Sequence, residues 1–543
     1  MHSSSSSEGE FVVQARPVPR PTRAAGPARI TPLTAAGALS GVLFSGGDVR
    51  LGLDPLTGAS RYGCRPLPAA TLAAFGSSTA STVSETAYAA AEVLRERFAL
   101  APTELRGRLA RLEMARLRFE LIHLCGLADL PGLEVLFAPS GTDLHLIAAD
   151  LFGDRLFGQA VAILPDPAET GSGVPQALSG RHFAADTPTG TPVVAGEPVR
   201  GMAPLETISI AVRGTNGAAR PALAIDAEVE DLAKGLIAQG KRVLLVLVDG
   251  SKTGLIAPSP ACALRIKQAS PQAVDVLVDA CQFRLSAATL RTYLEHDFLV
   301  AVTGSKFLTG PTFSGALFVP PAIAGRLAAR GSCEGLADYC AAVEWPADWA
   351  GCAGLGADFN LGLMLRWEAA LGELRAFRRL ADADVAGVFG RFGVVAMAEL
   401  GANPAFDPVP LADLSIRFDG EPRWDTVPTI FPFLLRHVRD GAAGELFHRD
   451  ETLKVYAALR TPLSPRPGSR LTREQLTLPV ELGQPVNLGV RDGVPISALR
   501  ICASARLAVE ALSGGEAAMT ARARDALAKT AEIAWRISNG APL

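Results

Sequence analysis

The chain is 543 residues long, 48% hydrophobic and 20% charged, with a formal net charge of −3. So apolar a chain is not a disordered one, and so balanced a charge lacks the basic excess of an electrostatic nucleic-acid binder. Mean hydropathy is +0.24, yet no continuous run reaches the roughly 18 apolar residues that span a bilayer, so neither nucleic acid nor membrane is an expected partner.

Residues 1–32 read as a flexible arm, Ser-rich at first, then rich in Pro and Arg, without the apolar core of a signal peptide. Residues 33–95 form an N-terminal segment in which Ser77, Ser78 and Thr79 are either substrate contacts or turn-forming hydroxyls. Helical spacing of apolar residues appears over 85–98 and 103–124. A strand at 133–138 then leads through Pro-Ser-Gly-Thr-Asp into a helix at 144–152. A further strand is predicted at 161–164. Residues 205–226 read as an inserted β-hairpin, with arms 207–212 and 221–225 and Asn216-Gly217 at the turn. Helices at 227–239, 260–268 and 286–294 alternate with strands at 242–248, 274–278 and 298–302, and a last strand follows at 317–319. That alternation predicts an α/β domain with a mainly parallel sheet over 96–330. Composition shifts over 328–360, a long helix covers 361–380, and 331–543 is assigned to a linking helix and a smaller C-terminal domain. Eight cysteines and seven histidines are scattered, with no CxxC pair. The expectation is buried, reduced thiols in a cytoplasmic protein and no metal site.

Four features on this sheet carry chemistry. Ser140, Gly141 and Thr142 lie at a strand-to-helix turn, where free N–H groups and hydroxyls make a phosphate cradle or simply an N-cap. Asp279 ends an apolar strand, placed to hold a protonated ring nitrogen or to cap the next helix. Lys306 follows another strand in Thr-Gly-Ser-Lys, beside a Gly-rich stretch at 310–315, where a crevice lysine can form a Schiff base. Arg500 lies on a C-terminal strand, suited to a carboxylate clamp or to a surface ion pair.

Together these features resemble the pyridoxal-phosphate (PLP) enzymes of fold type I, and within them the class V aminotransferase and cysteine desulfurase family, over roughly residues 80–510. Asp279 precedes Lys306 by 27 residues, close to the family's spacing. The resemblance implies a large domain with a seven-stranded, mainly parallel sheet flanked by helices, and a smaller α+β domain. It implies PLP held by Lys306, with Asp279 at the ring nitrogen and Gln282 near the phenolic oxygen. Ser140, Gly141, Thr142, Thr303 and Ser305 would hold the phosphate, Ser251 would stand where the family has a cofactor-contacting Asn, and Arg500 would hold the carboxylate of a small amino-acid substrate. A homodimer is implied as well. Lys252, in a second Ser-Lys pair, is the rival to Lys306.

Three positions depart from the family pattern. Thr170 follows Glu169 where a His or aromatic residue usually stacks on the ring. Gly356-Ala357-Asp358 stands where a partner subunit usually offers Ser or Thr to the phosphate. No cysteine lies between Cys352 and Cys502, where a desulfurase carries its nucleophile. The implied activity is therefore an aminotransferase, with a lyase as the alternative and a non-catalytic PLP-binding protein behind both.

Overall fold

The computed structural model describes residues 37–153, 159–418 and 421–543; the 1–32 arm lies outside them. In chain order the strands are β1 (Ala73–Phe75), β2 (Glu134–Ala138), β3 (Ala160–Pro165), β4 (Glu206–Ile210), β5 (Arg242–Asp249), β6 (Ile256–Ala257), β7 (Val274–Asp279), β8 (Leu299–Thr303), β9 (Gly315–Val319), β10 (Phe406–Pro408), β11 (Ile430–Arg439), β12 (Ala442–Leu446), β13 (Val480–Arg491) and β14 (Val494–Cys502).

The large sheet runs β2-β9-β8-β7-β5-β3-β4, with β6 pairing on the tip of β5. Only β9 opposes its neighbours along this path; the other six strands point the same way. Alternate side chains of β5 show why the sheet is buried on both faces. Val243, Leu245 and Leu247 join one apolar cluster, while Leu244 and Val246 join another. A strand covered by helices on both sides reads as a continuous apolar run, which is what 243–248 is. Because the connections are parallel crossovers, the carboxyl ends of β3, β5, β7 and β8 share one edge. This is the mainly parallel seven-stranded sheet that the resemblance implies.

The second sheet, β1-β13-β14-β11-β10 with β12 on β11, is antiparallel except for β1, which pairs parallel to β13. The 33–95 segment is therefore shared out. Its strand completes the C-terminal sheet, while the helices Leu39–Leu43 and Glu85–Leu100 pack on the long helix Leu361–Phe377.

Two expectations are corrected. The 205–226 hairpin does not form as drawn. β4 is an edge strand parallel to β3, and 221–225 opens the helix Ala222–Ala238. Ile225, Val229, Ala233 and Leu236 are buried along one side of that helix, so helical periodicity already begins in the supposed second arm. The Asn216-Gly217 turn does exist, with Gly217 at φ +80° and a single bridge from Arg213 to Ala219. The second correction concerns apolar length. The helix Asp382–Ala402 has 21 residues and a mean hydropathy of 1.4 in its most apolar window, long and apolar enough to cross a membrane. Val385, Val388, Phe389, Phe392, Ala396 and Leu400 are buried, and the helix packs on β11 and on the helix Glu516–Ser538. Gly and Ala spaced among the apolar residues hid its length as a run.

Candidate active site

Apart from Ser77 and Asp358, every residue singled out in the sequence as a site candidate lines one cavity of about 280 Å³. Ser140–Thr142 follow β2, Thr170 follows β3, Ser251 and Lys252 follow β5, Asp279 ends β7, and Thr303–Lys306 follow β8. Arg500 enters from β14, and Ser78 and Thr79 from just after β1.

The phosphate turn is a helix N-terminus as well as a cap. Ser140 Oγ accepts from Asp143 N at 3.3 Å, while the Gly141 and Thr142 N–H groups belong to the first turn, which has no acceptors within its own helix. Gly141 is required by close approach, since a Cβ there would stand 2.6 Å from Cys281 Sγ. Thr303 is less available than expected. Its hydroxyl donates to Cys281 O at 2.7 Å, whereas Ser305 Oγ makes only a 3.3 Å bond to Thr303 Oγ1.

Asp279 is buried, 7% exposed, with Oδ1 accepting from Cys281 N at 3.1 Å and Oδ2 lying 3.5 Å from His145 Nε2. His145 Nδ1 is 2.7 Å from Gly141 O, and its Nε2 has no hydrogen bond. Gln282 donates through Nε2 to Ser78 O at 2.9 Å and leaves Oε1 buried without a partner. Lys306 is half-buried, and no hydrogen bond or ion pair holds its ammonium among the described residues.

Arg500 is 1% exposed, and among the described residues no carboxylate pairs with it. Nε donates to Ser78 Oγ at 3.1 Å and Nη2 to Thr79 Oγ1 at 2.6 Å, while Nη1 is buried without any partner. Burial pulls its pKa below the ordinary arginine value. A guanidinium fixed by two hydroxyls with its remaining nitrogen free is suited to an incoming carboxylate.

Ser251 has a different task from the one expected. Its hydroxyl donates to Glu169 at 2.7 Å and accepts from Leu255 N at 3.0 Å. Glu169 also takes Arg213 Nε at 2.5 Å and Thr253 Oγ1 at 2.8 Å. Burial disfavours the Glu169 charge, yet Arg213 and these hydroxyls together hold its pKa below the usual carboxylate value. The cluster ties the β3 loop to the β5 loop and consumes the Ser251 proton. Lys252 donates to Ala168 O at 3.0 Å, and burial together with the Arg500 and Lys306 charges pulls its pKa down to about 8. Unlike Lys306, it is already engaged with backbone.

The thiols are placed for structure. All eight cysteines are unpaired, and burial pushes Cys281, the one lining the cavity, well above the ordinary thiol pKa. Trp345 and Trp349 pack edge to face in the core at 6.2 Å, outside the cavity. Asp358 is exposed.

Three contributors have no counterpart in the sequence reading: Arg50, His145 and the Glu169–Arg213 pair. His145 lies three residues beyond Thr142, so a turn later on the same helix face, and that spacing was the one available signal. Arg50 bonds to Thr142 across 92 residues, which no local pattern encodes.

No family model and no curated protein matches the chain. Among solved structures it is similar to a NifS-like protein, at 14% identity and a TM-score of 0.48, covering 81% of this chain and 99% of that one. It is similar also to a cystine C–S lyase, C-DES, in complex with its reaction product cysteine persulfide, at 15% identity and a TM-score of 0.47, covering 83% and 98%. A third is Oryza sativa TDC with PLP and tryptamine, at 13% identity and a TM-score of 0.45, covering 81% of each chain. The strand order and the second sheet agree with the fold expected from the sequence. The fold is type I.

Proposed function

We propose that the chain is a PLP-dependent enzyme acting at Cα of a small α-amino acid, and that the reaction is transamination. One observation carries the reading. A single cavity joins an unpaired Lys306, a strand-end Asp279 and an Arg500 with one buried nitrogen unsatisfied. The donor set fits the cofactor: hydroxyls and helix N–H groups for a phosphate, a carboxylate for a ring nitrogen, a free amine for the aldehyde.

PLP, when bound, supplies a ring that accepts the electron pair left at Cα. Lys306 carries the cofactor and afterwards takes and returns the Cα proton. Asp279, steadied by the Cys281 N–H and beside His145, would keep a proton on the cofactor's ring nitrogen. Thr142 and Ser305 would hold the phosphate with the first N–H groups of the helix that Ser140 caps. Arg500, oriented by Ser78 and Thr79, grips the substrate carboxylate and so sets which Cα bond is presented to the base. The same reading includes a homodimer, which sedimentation equilibrium tests.

The experiment is the half-reaction. Protein loaded with PLP is mixed with amino donors and no keto-acid acceptor, and the absorbance is followed. Conversion to the pyridoxamine form with release of a keto acid supports transamination. A lyase is the second reading, and Thr170 favours it. A small residue, with Oγ1 buried and unpartnered, stands at the position of the usual ring-stacking group. Release of pyruvate or a thiol with the cofactor unconverted selects elimination over transamination.

A further inference from the structure

We propose that Arg50 is a cofactor-anchoring residue: supplied from the loop before the first long helix, it closes the phosphate cradle of its own chain opposite Ser140 and Thr142. The inference rests on the PLP reading of this cavity.

Arg50 reaches the two residues of the phosphate turn that carry hydroxyls. Nη1 donates to Thr142 Oγ1 at 3.0 Å and Nη2 to Ser140 Oγ at 3.1 Å. Its plane is fixed from behind by Asp48, which takes Nε at 2.9 Å and Nη2 at 2.6 Å and is itself 2% exposed. Phe183 and Phe313 each lie 5.2 Å from the guanidinium carbon. Such a group is pre-organised rather than solvated, so little side-chain entropy is lost when it binds an anion.

The loop bearing it is held with equal care. Arg366, fully buried, donates to the carbonyls of Leu43 at 3.0 Å, Ser45 at 2.6 Å and Gly46 at 3.2 Å. Asn360 Nδ2 donates to Gly46 O at 2.7 Å, and Gly46 has φ +66°, where a Cβ would overlap the Asn360 amide at 2.0 Å. Burying an arginine against carbonyls alone is costly. Two positions after Asp48, the loop delivers Arg50 to the cavity.

A donor census shows what is missing. One N–H of Arg50 Nη1 and the hydroxyl proton of Thr142 are unspent, side by side and next to the first N–H groups of the helix. An acceptor-rich anion suits such a set, and a phosphate monoester satisfies it with several oxygens at once. Asp143 lies under the turn, taking the Ser140 hydroxyl proton. Burial, reinforced by Asp48, pushes Asp143 up to about 7, which limits its repulsion of the phosphate.

The test compares PLP with pyridoxal, which lacks the phosphate, by absorbance titration of the full chain. Arg50→Ala should weaken PLP binding by about 10–100-fold, the loss of one charge-assisted contact. Its pyridoxal affinity should change less than about twofold, and Arg50→Lys should fall between, keeping charge without the fork. Should Arg50→Ala fail to fold, Arg50→Lys carries the same comparison. Unchanged PLP binding, or equal losses for PLP and pyridoxal, overturns the role of Arg50. Failure of the unsubstituted protein to bind PLP at all refutes the reading of the cavity instead.

Discussion

One wall of the cavity stands on the ends of parallel strands, and the opposite wall is assembled from elements foreign to that sheet. Asp279 ends β7 and Lys306 follows the adjacent β8, strands whose backbones are locked in register with Leu277 opposite Leu299. Arg500, Ser78, Thr79 and Arg50 come from the second sheet and the N-terminal loops; Arg500 is positioned by Ser78 and Thr79 through hydrogen bonds of 3.1 and 2.6 Å, and Arg50 by Asp48 at 2.9 and 2.6 Å. The first wall is rigid because main-chain ladders hold it. The second is rigid only as a network, in which each side chain depends on its neighbour. In the proposed function the chemistry at Cα falls to the first wall, which also carries the phosphate turn, and the grip on the substrate carboxylate falls to the second.

Substitutions can break this division. Lys306→Ala should lower turnover by about 10⁴-fold, the upper range for a positioned acid–base group, measured as the half-reaction rate with saturating donor. A fall of less than tenfold would move the chemistry elsewhere. Asp279→Ala should cost about 10²–10³-fold in kcat, as removal of a charge aimed at the reacting system does, with KM nearly unchanged. Arg500→Ala should raise KM for amino acids by about 10–100-fold, while amines that lack the carboxylate lose little. Equal losses for both substrate kinds would show that the network wall also shapes the chemistry.

A smaller effect separates stability from the site. Glu344, buried and accepting from Ala341 N at 3.0 Å, is pushed by burial up to about 8 from an ordinary 4.5. A carboxyl with a raised folded pKa destabilises the fold as pH climbs, because above 4.5 the unfolded chain sheds that proton first. Its contribution to stability therefore falls between about pH 4.5 and 8. Glu344→Gln should flatten that decline and raise Tm at pH 8 by about 1 °C, about 1 kcal/mol, with the cofactor spectrum unchanged. A Tm difference independent of pH would contradict it.

The two walls also differ in how much of them the sequence discloses. The strand-end wall is short-range chemistry: each functional residue directly follows an apolar strand, so Asp279, Gln282, Ser305 and Lys306 stand out by position. The Arg500 strand could be found by its resemblance, but its unsatisfied nitrogen could not. Arg50 sits in Gly-Gly-Asp-Val-Arg, a loop with no periodicity, and its partner Thr142 is 92 residues away. Ser251 shows the converse failure. Its place in the chain fitted a cofactor contact, yet a buried Glu169 claims its hydroxyl. The supposed hairpin failed because helical and strand patterns agree over five apolar residues, and the longer helix decided the outcome.

The most direct measurement of the central claim is to load the protein with PLP, reduce it with borohydride and map the labelled peptide. The account predicts the pyridoxyl group on Lys306. A label on Lys252, or none on either lysine, would contradict it.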